Sequence, residues 1–207
     1  MKESSKALPE IIKKWFSVLS GKPEKEESRE DQERFTTHDS DPVDLQFVKR
    51  FTNSGGKFLL CTNENELLES LNDLSEELGT TTAFCASASC QDLMRHIRHP
   101  FEWQSIQDAQ LFVTDCEALV AFNGSIMISS RQKGAKKLEE LPRNVVVLAQ
   151  AEQIVHKLND GLAAIRERSQ GNIPVQITTI HGPKQIGPVD SSPGFESVYL
   201  LLLDFQS

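Results

Sequence analysis

Three short stretches hold residue types that could do chemistry. Asp115 and Glu117 flank Cys116 directly after the apolar run 111–114. Two carboxylates at the end of a buried strand could handle a proton or orient a ligand in a cleft. They suit equally the caps and turn bonds with which polar residues close a strand. Asn123-Gly124-Ser125 follows a second apolar run, 118–122. Its backbone N–H groups could face an anion, or it is a plain hairpin turn, since Asn-Gly between apolar runs is a strong hairpin signal. Gly182-Pro183-Lys184, with His181 before it, could hold a carboxylate or phosphate against the Lys184 ammonium, or be a surface turn. Cys116 could be a reactive thiol if its pKa were depressed, and is otherwise structural. His96 and His99 stand three apart at a helix end. A metal site needs a third ligand that the sequence does not supply, so they read as rings near a helix C-terminus. Arg131, Lys133, Lys136 and Lys137 read as solvated charges. No metal set and no cofactor motif is evident: Gly55-Gly56-Lys57 lacks the spacing of a phosphate loop and reads as a helix stop.

The elements that must position these residues follow from periodicity. Residues 42–53 carry a helical stripe of Leu45, Val48 and Phe51, with Asp41 as cap and Pro42 at the first turn. Residues 57–61 read as a strand, and 65–78 as a helix on Leu67, Leu68, Leu71, Leu74 and Leu78, stopped by Gly79. Residues 80–85 read as a strand, and Ser87 or Ser89 caps a helix that ends near Arg98. Residues 100–110 form a polar connection anchored by Phe101 and Trp103. Strands are expected at 111–114, 118–122 and 125–129, then a polar loop over 131–143. A buried strand follows at 144–149, a helix at 154–166, a strand at 174–180, a Gly/Pro-rich loop at 181–194 and a last strand at 197–204. Alternating helices and strands with near-continuous apolar runs predict an α/β domain, three-layer α/β/α with a mainly parallel sheet.

Ahead of this body, Leu8, Ile11, Ile12, Trp15, Phe16 and Leu19 give residues 1–20 the pattern of an amphipathic helical arm. Residues 21–41 are dense in charge and nearly free of apolar residues, the composition of a flexible linker. The α/β domain then spans 42–207. The chain has 207 residues, with 22 Lys and Arg against 30 Asp and Glu, a net charge of −8. That balance argues against binding nucleic acid or an anionic membrane surface. The four cysteines form no CxxC pair, and a domain of this size needs no disulfide staples, so a reducing cytoplasm is expected. There is no continuous apolar leader and no run long enough to span a membrane.

The order of these segments resembles the LUD domain, the lactate-utilisation protein C-like family. The carriers are VDLQFVKRFTNSGGKFLLC, then TTTAFC, VTDCEALVAFNGSIMISS, LPRNVVVLAQAEQIV and TTIHGPKQIGPVDSSPGFESVYLLLLD. The likeness covers roughly residues 42–205. It implies a fold like that of the NagB/ribose-5-phosphate isomerase/CoA-transferase group and a role linked to oxidation of L-lactate to pyruvate. It also implies iron–sulfur lactate-oxidation subunits as partners, the domain itself carrying no redox cofactor. Asn123, Gly124 and Ser125 fall on the family's Thr-Gly-Thr, Glu117 on its Asp and Asp115 on a Gly. Phe122 stands where the family has a Glu, and a phenyl ring cannot do acid–base work. The expected function is therefore an accessory, binding subunit of 2-hydroxy-acid oxidation. The alternatives are a CoA-transferase-like enzyme or sensor for a small carboxylate or phosphate, or a degenerate member that only oligomerises through its N-terminal helix. Candidate ligand-binding residues are Asp115, Glu117, Asn123, Gly124, Ser125, His181, Gly182 and Lys184.

Overall fold

The computed structural model describes residues 36–38, 40–184 and 194–204. The arm at 1–20, most of the linker, and residues 185–193 of the closing loop lie outside the described residues. The centre is a six-stranded sheet, every pair parallel, in the order β1 (Lys57–Cys61), β10 (Ser197–Leu203), β7 (Asn144–Gln150), β4 (Leu111–Asp115), β2 (Thr82–Phe84), β3 (Glu102–Trp103). Its middle strands are apolar on both faces because both faces are covered. Val145 and Val147 of β7 join one core, Val146 and Leu148 the other.

On one face lie α2 (Glu64–Leu78) and α3 (Ala88–His96). Asn63 caps α2 by accepting from the Glu66 N–H, and Gly79 ends it in the left-handed region. Ser87, not Ser89, caps α3. On the other face lie α1 (Val43–Asn53) and a second sheet ordered β8 (Ile154–Val155), β5 (Ala118–Val120), β6 (Ser125–Ile128), β9 (Thr178–Ile180). The outer side of that small sheet is closed by Ile165 and Leu162 of α5 (Leu158–Ser169). The three-layer α/β/α body with a mainly parallel sheet holds, and this second sheet joins one of its flanking layers.

Several boundaries differ from the sequence pattern. Residues 154–166 are not one helix. Ile154 and Val155 pair in parallel with Leu119 and Val120, and α5 starts at Leu158. Two β-branched or stiff residues next to an exposed strand edge gain more from pairing than from a further helical turn. The strand expected at 174–180 shrinks to Thr178–Ile180. The connection at 100–110 contains β3, and the loop at 131–143 contains α4 (Ser130–Lys133) and a short 3-10 turn at Leu138–Glu140. Asp41 does not cap α1; it accepts from the His38 N–H and from Lys49.

Candidate functional site

The strand order reverses between β2 and β4. From β2 the chain moves outward to β3, and from β4 it moves the other way to β7 and β10. Ligands of open α/β sheets sit in the crevice outside the carboxyl ends of such a strand pair. Asp115 ends β4 at that point, and its surroundings are polar and fully interlinked. Ser89, in the first turn of α3, donates its hydroxyl to Asp115 Oδ2, and Gln132 Nε2 donates to Oδ1 at 3.3 Å. Gln132 Oε1 accepts from the Ser129 N–H at 2.9 Å. The Ser129 hydroxyl donates to Glu117 Oε1 at 2.7 Å, and Arg131 stands 3.9 Å from the same oxygen.

This chain of contacts joins Asp115 to Glu117, but not as an open pair facing a cleft. Glu117 is buried, with 4 % of its surface exposed. The strand-end reading describes it better: Asp115 accepts from side chains of α3 and α4, and Glu117 from Ser129, the residue that caps α4. The loop between them is pinned through its carbonyls, Gln153 donating to Cys116 O at 2.6 Å and Arg168 to Glu117 O at 2.5 Å. Asp115 also occupies the place beside the α3 N-terminus where an external anion would be drawn. Burial, then the flanking Asp115 and Glu117 charges, hold the Cys116 thiol well above its ordinary value. It is a structural thiol.

The other two candidate stretches meet elsewhere. Ile126 pairs with Ile180 across β6 and β9, which sets Ser125 beside His181. Both loops lean on the C-terminal half of α1. A Cβ on Gly124 would lie 2.5 Å from the Phe51 nitrogen, and one on Gly182 would lie 2.3 Å from that of Gly56. The Gly182 N–H donates to Ser54 Oγ at 3.0 Å, and the Lys184 N–H to Ser54 O at 2.8 Å. The 121–124 turn is wider than a two-residue hairpin, because Val120 pairs with Ser125. Only Gly124 in it has positive φ, +66°. Asn123 instead accepts from the Ser125 hydroxyl at 2.7 Å. Glu117 and Ala121 stand at opposite ends of β5, roughly 13 Å apart at about 3.3 Å per residue. The eight candidate residues thus divide between two places.

Phe122 caps the second place, 63 % exposed. The Arg50 guanidinium lies 5.9 Å from its ring centroid and donates to Ala121 O at 2.8 Å. Arg50, Ser89 and Gln132 were not singled out by the sequence. Only Ser89 gave a signal, as a cap candidate. Lys133 is not solvated: it is 4 % exposed and donates to Lys136 O and Gln176 Oε1 at 2.6 and 2.8 Å. Arg131 is also engaged, donating to Asn172 O at 2.7 Å. His96 lies against Asp92 O at 2.7 Å, while His99 falls beyond the helix, accepts from the Phe101 N–H and packs on Trp103. Among the described residues no cluster of three or more His, Cys, Asp or Glu could hold a metal ion. No described helix is long and apolar enough to cross a membrane.

Residues 102–202, which run from β3 into β10, match the family model of the LUD domain. The chain carries a LUD domain. This family is linked to lactate utilisation in general. No curated protein matches the sequence. Among solved structures, a DUF162 family protein from Deinococcus radiodurans superposes with a TM-score of 0.51 at 15 % identity, covering 78 % of this chain and 96 % of that one. At that identity the likeness speaks for the fold, which the two share. Within the LUD domain, the Asp115–Glu117 network and the Phe122 turn both lie inside the matched stretch.

Proposed function

We propose that this LUD-domain protein is a binding and assembly subunit of a 2-hydroxy-acid oxidation system, with L-lactate as the reference substrate, and that it brings no redox group of its own. The observation that carries the reading is the ring of Phe122, exposed on Arg50 at the turn where the family's carboxylate is expected. An exposed phenyl with a guanidinium behind it is a contact group for another protein surface, since aromatics and Arg dominate interface energetics. It offers no proton. The carboxylates at β4 and β5 are already satisfied by Ser89, Gln132 and Ser129, which supports a scaffold role for them as well. The partners of the reading are iron–sulfur proteins, and its compartment is the cytoplasm.

The test is affinity purification of the tagged full chain from cells grown on L-lactate. The expected result is a co-eluting species with iron–sulfur absorbance that bleaches on adding L-lactate, and its loss with Phe122→Ala. A chain that elutes alone, or whose companion does not respond to L-lactate, overturns the reading. A thermal-midpoint rise with lactate, a sugar phosphate or a CoA ester on the isolated chain would instead favour a ligand-binding enzyme or sensor.

A further inference from the structure

The outer edge of the six-stranded sheet carries a groove that no reading so far uses. Among the described residues β1 pairs only with β10, so one side of its backbone is an open edge. Exposed edges invite unwanted pairing, and folds commonly cover them with a helix or loop. Here the edge lies at the bottom of a cavity of about 330 Å³ between α1 and α2. Phe58, Leu59 and Leu74 give it apolar walls, and Lys57, Asp73 and Glu77 stand on its rim. Thr52 of α1 contributes to its lining from the other side. The β3 edge at the far side is two residues long and needs no such cover.

We propose that the occupant is the chain's own N-terminal arm, residues 7–20, with Trp15 in the cavity. Three observations select it. The first is charge. α2 carries Glu64, Glu66, Glu69, Asp73, Glu76 and Glu77 and no base. In a chain of net charge −8, residues 1–20 hold four lysines against two glutamates. Lys13 and Lys14 immediately precede Trp15 and Phe16, so a base accompanies the apolar group to an acidic rim. The second is position. The described chain begins at Thr36, whose carbonyl accepts from Lys49 Nζ at 2.9 Å. Lys49 is one helical turn before Thr52 on α1, on the same side of the helix. The chain thus joins the body beside the groove, and residues 21–35 can span up to about 50 Å at 3.3–3.6 Å each. The third is fit. An indole is a large, rigid apolar group with a polar edge, and the cavity offers apolar walls of Phe58, Leu59 and Leu74 under a polar rim. This inference stands apart from the assembly role and does not depend on it.

Trp15 and Trp103 are the two tryptophans of the chain, which makes the proposal readable by fluorescence. In the full chain with Trp103→Phe, Trp15 emission is expected blue-shifted, with quenching by acrylamide several-fold weaker than in urea. Asp73→Lys, at an exposed position where α2 borders the cavity, is expected to return emission and quenching toward the unfolded values while the thermal transition persists. Lys13→Glu with Lys14→Glu, which changes nothing in the folded body, is expected to do the same. Emission already at the solvent-exposed value overturns the proposal. So does shielding that none of these variants relieves, which would place the arm elsewhere. Shielding that vanishes on dilution together with a halving of the mass by light scattering assigns the groove to the arm of a second copy and overturns the same-chain assignment.

Discussion

The guanidinium of Arg50 sits 5.9 Å from the centre of the Phe122 ring while donating to the carbonyl of the preceding residue, Ala121. One side chain of α1 thereby holds both the backbone and the tip of the turn that joins β5 to β6. The arrangement is a surface one, so its stability contribution is small: about 0.5–1 kcal/mol for an exposed cation–π contact. Phe122→Glu exchanges it for a surface ion pair worth about 0.2–1 kcal/mol. The expected outcome is a urea midpoint that moves by less than the equivalent of about 1 kcal/mol, with the fold intact. What changes is chemistry: the turn then carries an acid beside a base. Binding of L-lactate or acetate by calorimetry in the variant and not in the parent would assign a carboxylate-binding role to this turn; no binding in either would leave it a contact surface.

Gly124 is held much more tightly. Its φ of +66° and the 2.5 Å between a built Cβ and the Phe51 nitrogen are independent obstacles to any other residue. Gly124→Ala is expected to cost about 2–5 kcal/mol, from roughly 1–2 for the left-handed conformation and about 1–3 for overpacking against backbone that cannot yield. Gly182→Ala meets only the second obstacle, with Gly56 N at 2.3 Å and Ser54 O at 2.4 Å, and is expected to lose less. Denaturant unfolding of both variants checks the order. If Gly124→Ala unfolds like the parent, the close docking of the turn on α1 is wrong.

These two positions mark what the sequence could and could not reveal. Asn-Gly announced a turn, because the signal is local. That the turn is four residues wide with its glycine jammed under α1 depends on a helix some seventy residues earlier, and no local pattern carries that. The same holds for Lys133, whose acceptor Gln176 lies 43 residues on; a lysine among lysines looks solvated until its partner is known. β7 and β10 were legible because strands buried on both faces must be apolar throughout. β8 was not, because Ile154, Leu158, Leu162 and Ile165 fit a helical stripe equally well. Pairing with β5 decided it. Asp115 and Glu117 were legible in the sequence as strand-end carboxylates, but not the groups that meet them. Their satisfaction by Ser89, Gln132 and Ser129 arises only when the carboxyl ends of β2 and β4 meet.

The four thiols should differ in reactivity, since all are buried but not alike. Burial pushes Cys61 up to about 11 and holds Cys116 well above its ordinary value. Hydrogen bonding to Cys85, then burial, raises Cys90, while the same bond lowers Cys85 against the opposing effect of its own burial. A thiolate is the nucleophile, so iodoacetamide at neutral pH is expected to modify Cys85 several-fold faster than the rest. Peptide mass mapping at short times reads this directly. Cys90→Ala removes the donor and should slow labelling at Cys85; faster labelling at Cys116 than at Cys85 would contradict the assignment.

Stability should form a plateau across neutral pH that falls at both ends. The Lys57 hydrogen bond holds the Glu77 carboxyl below its ordinary 4.5, and the Thr62 N–H does the same for Glu66. Burial pushes Asp41 up, but the His38 N–H and the Lys49 ammonium outweigh it and leave it below 3.8. Depressed carboxylates stabilise the fold fully above their ordinary values and lose that contribution as pH falls through the lower, folded ones. The acid limb should therefore begin as pH drops below about 4.5. At the other end, burial alone would lower Lys57, but Glu77 and Tyr199 raise it above 10.5, and burial lifts Tyr199 above 10.0. Raised groups contribute fully below their ordinary values and cease to as pH rises past the folded ones, so the alkaline limb should open above about 10. Lys57→Met addresses both limbs at once. It deletes the cation that depresses Glu77, and the partner that Lys57 Nζ at 2.8 Å gives the Tyr199 hydroxyl. Thermal midpoints measured every half unit of pH should then show a shallower acid limb and an alkaline limb without the lysine's share. A variant whose profile keeps the parent's shape at both ends would mean that the Lys57–Glu77–Tyr199 cluster does not couple protonation to folding.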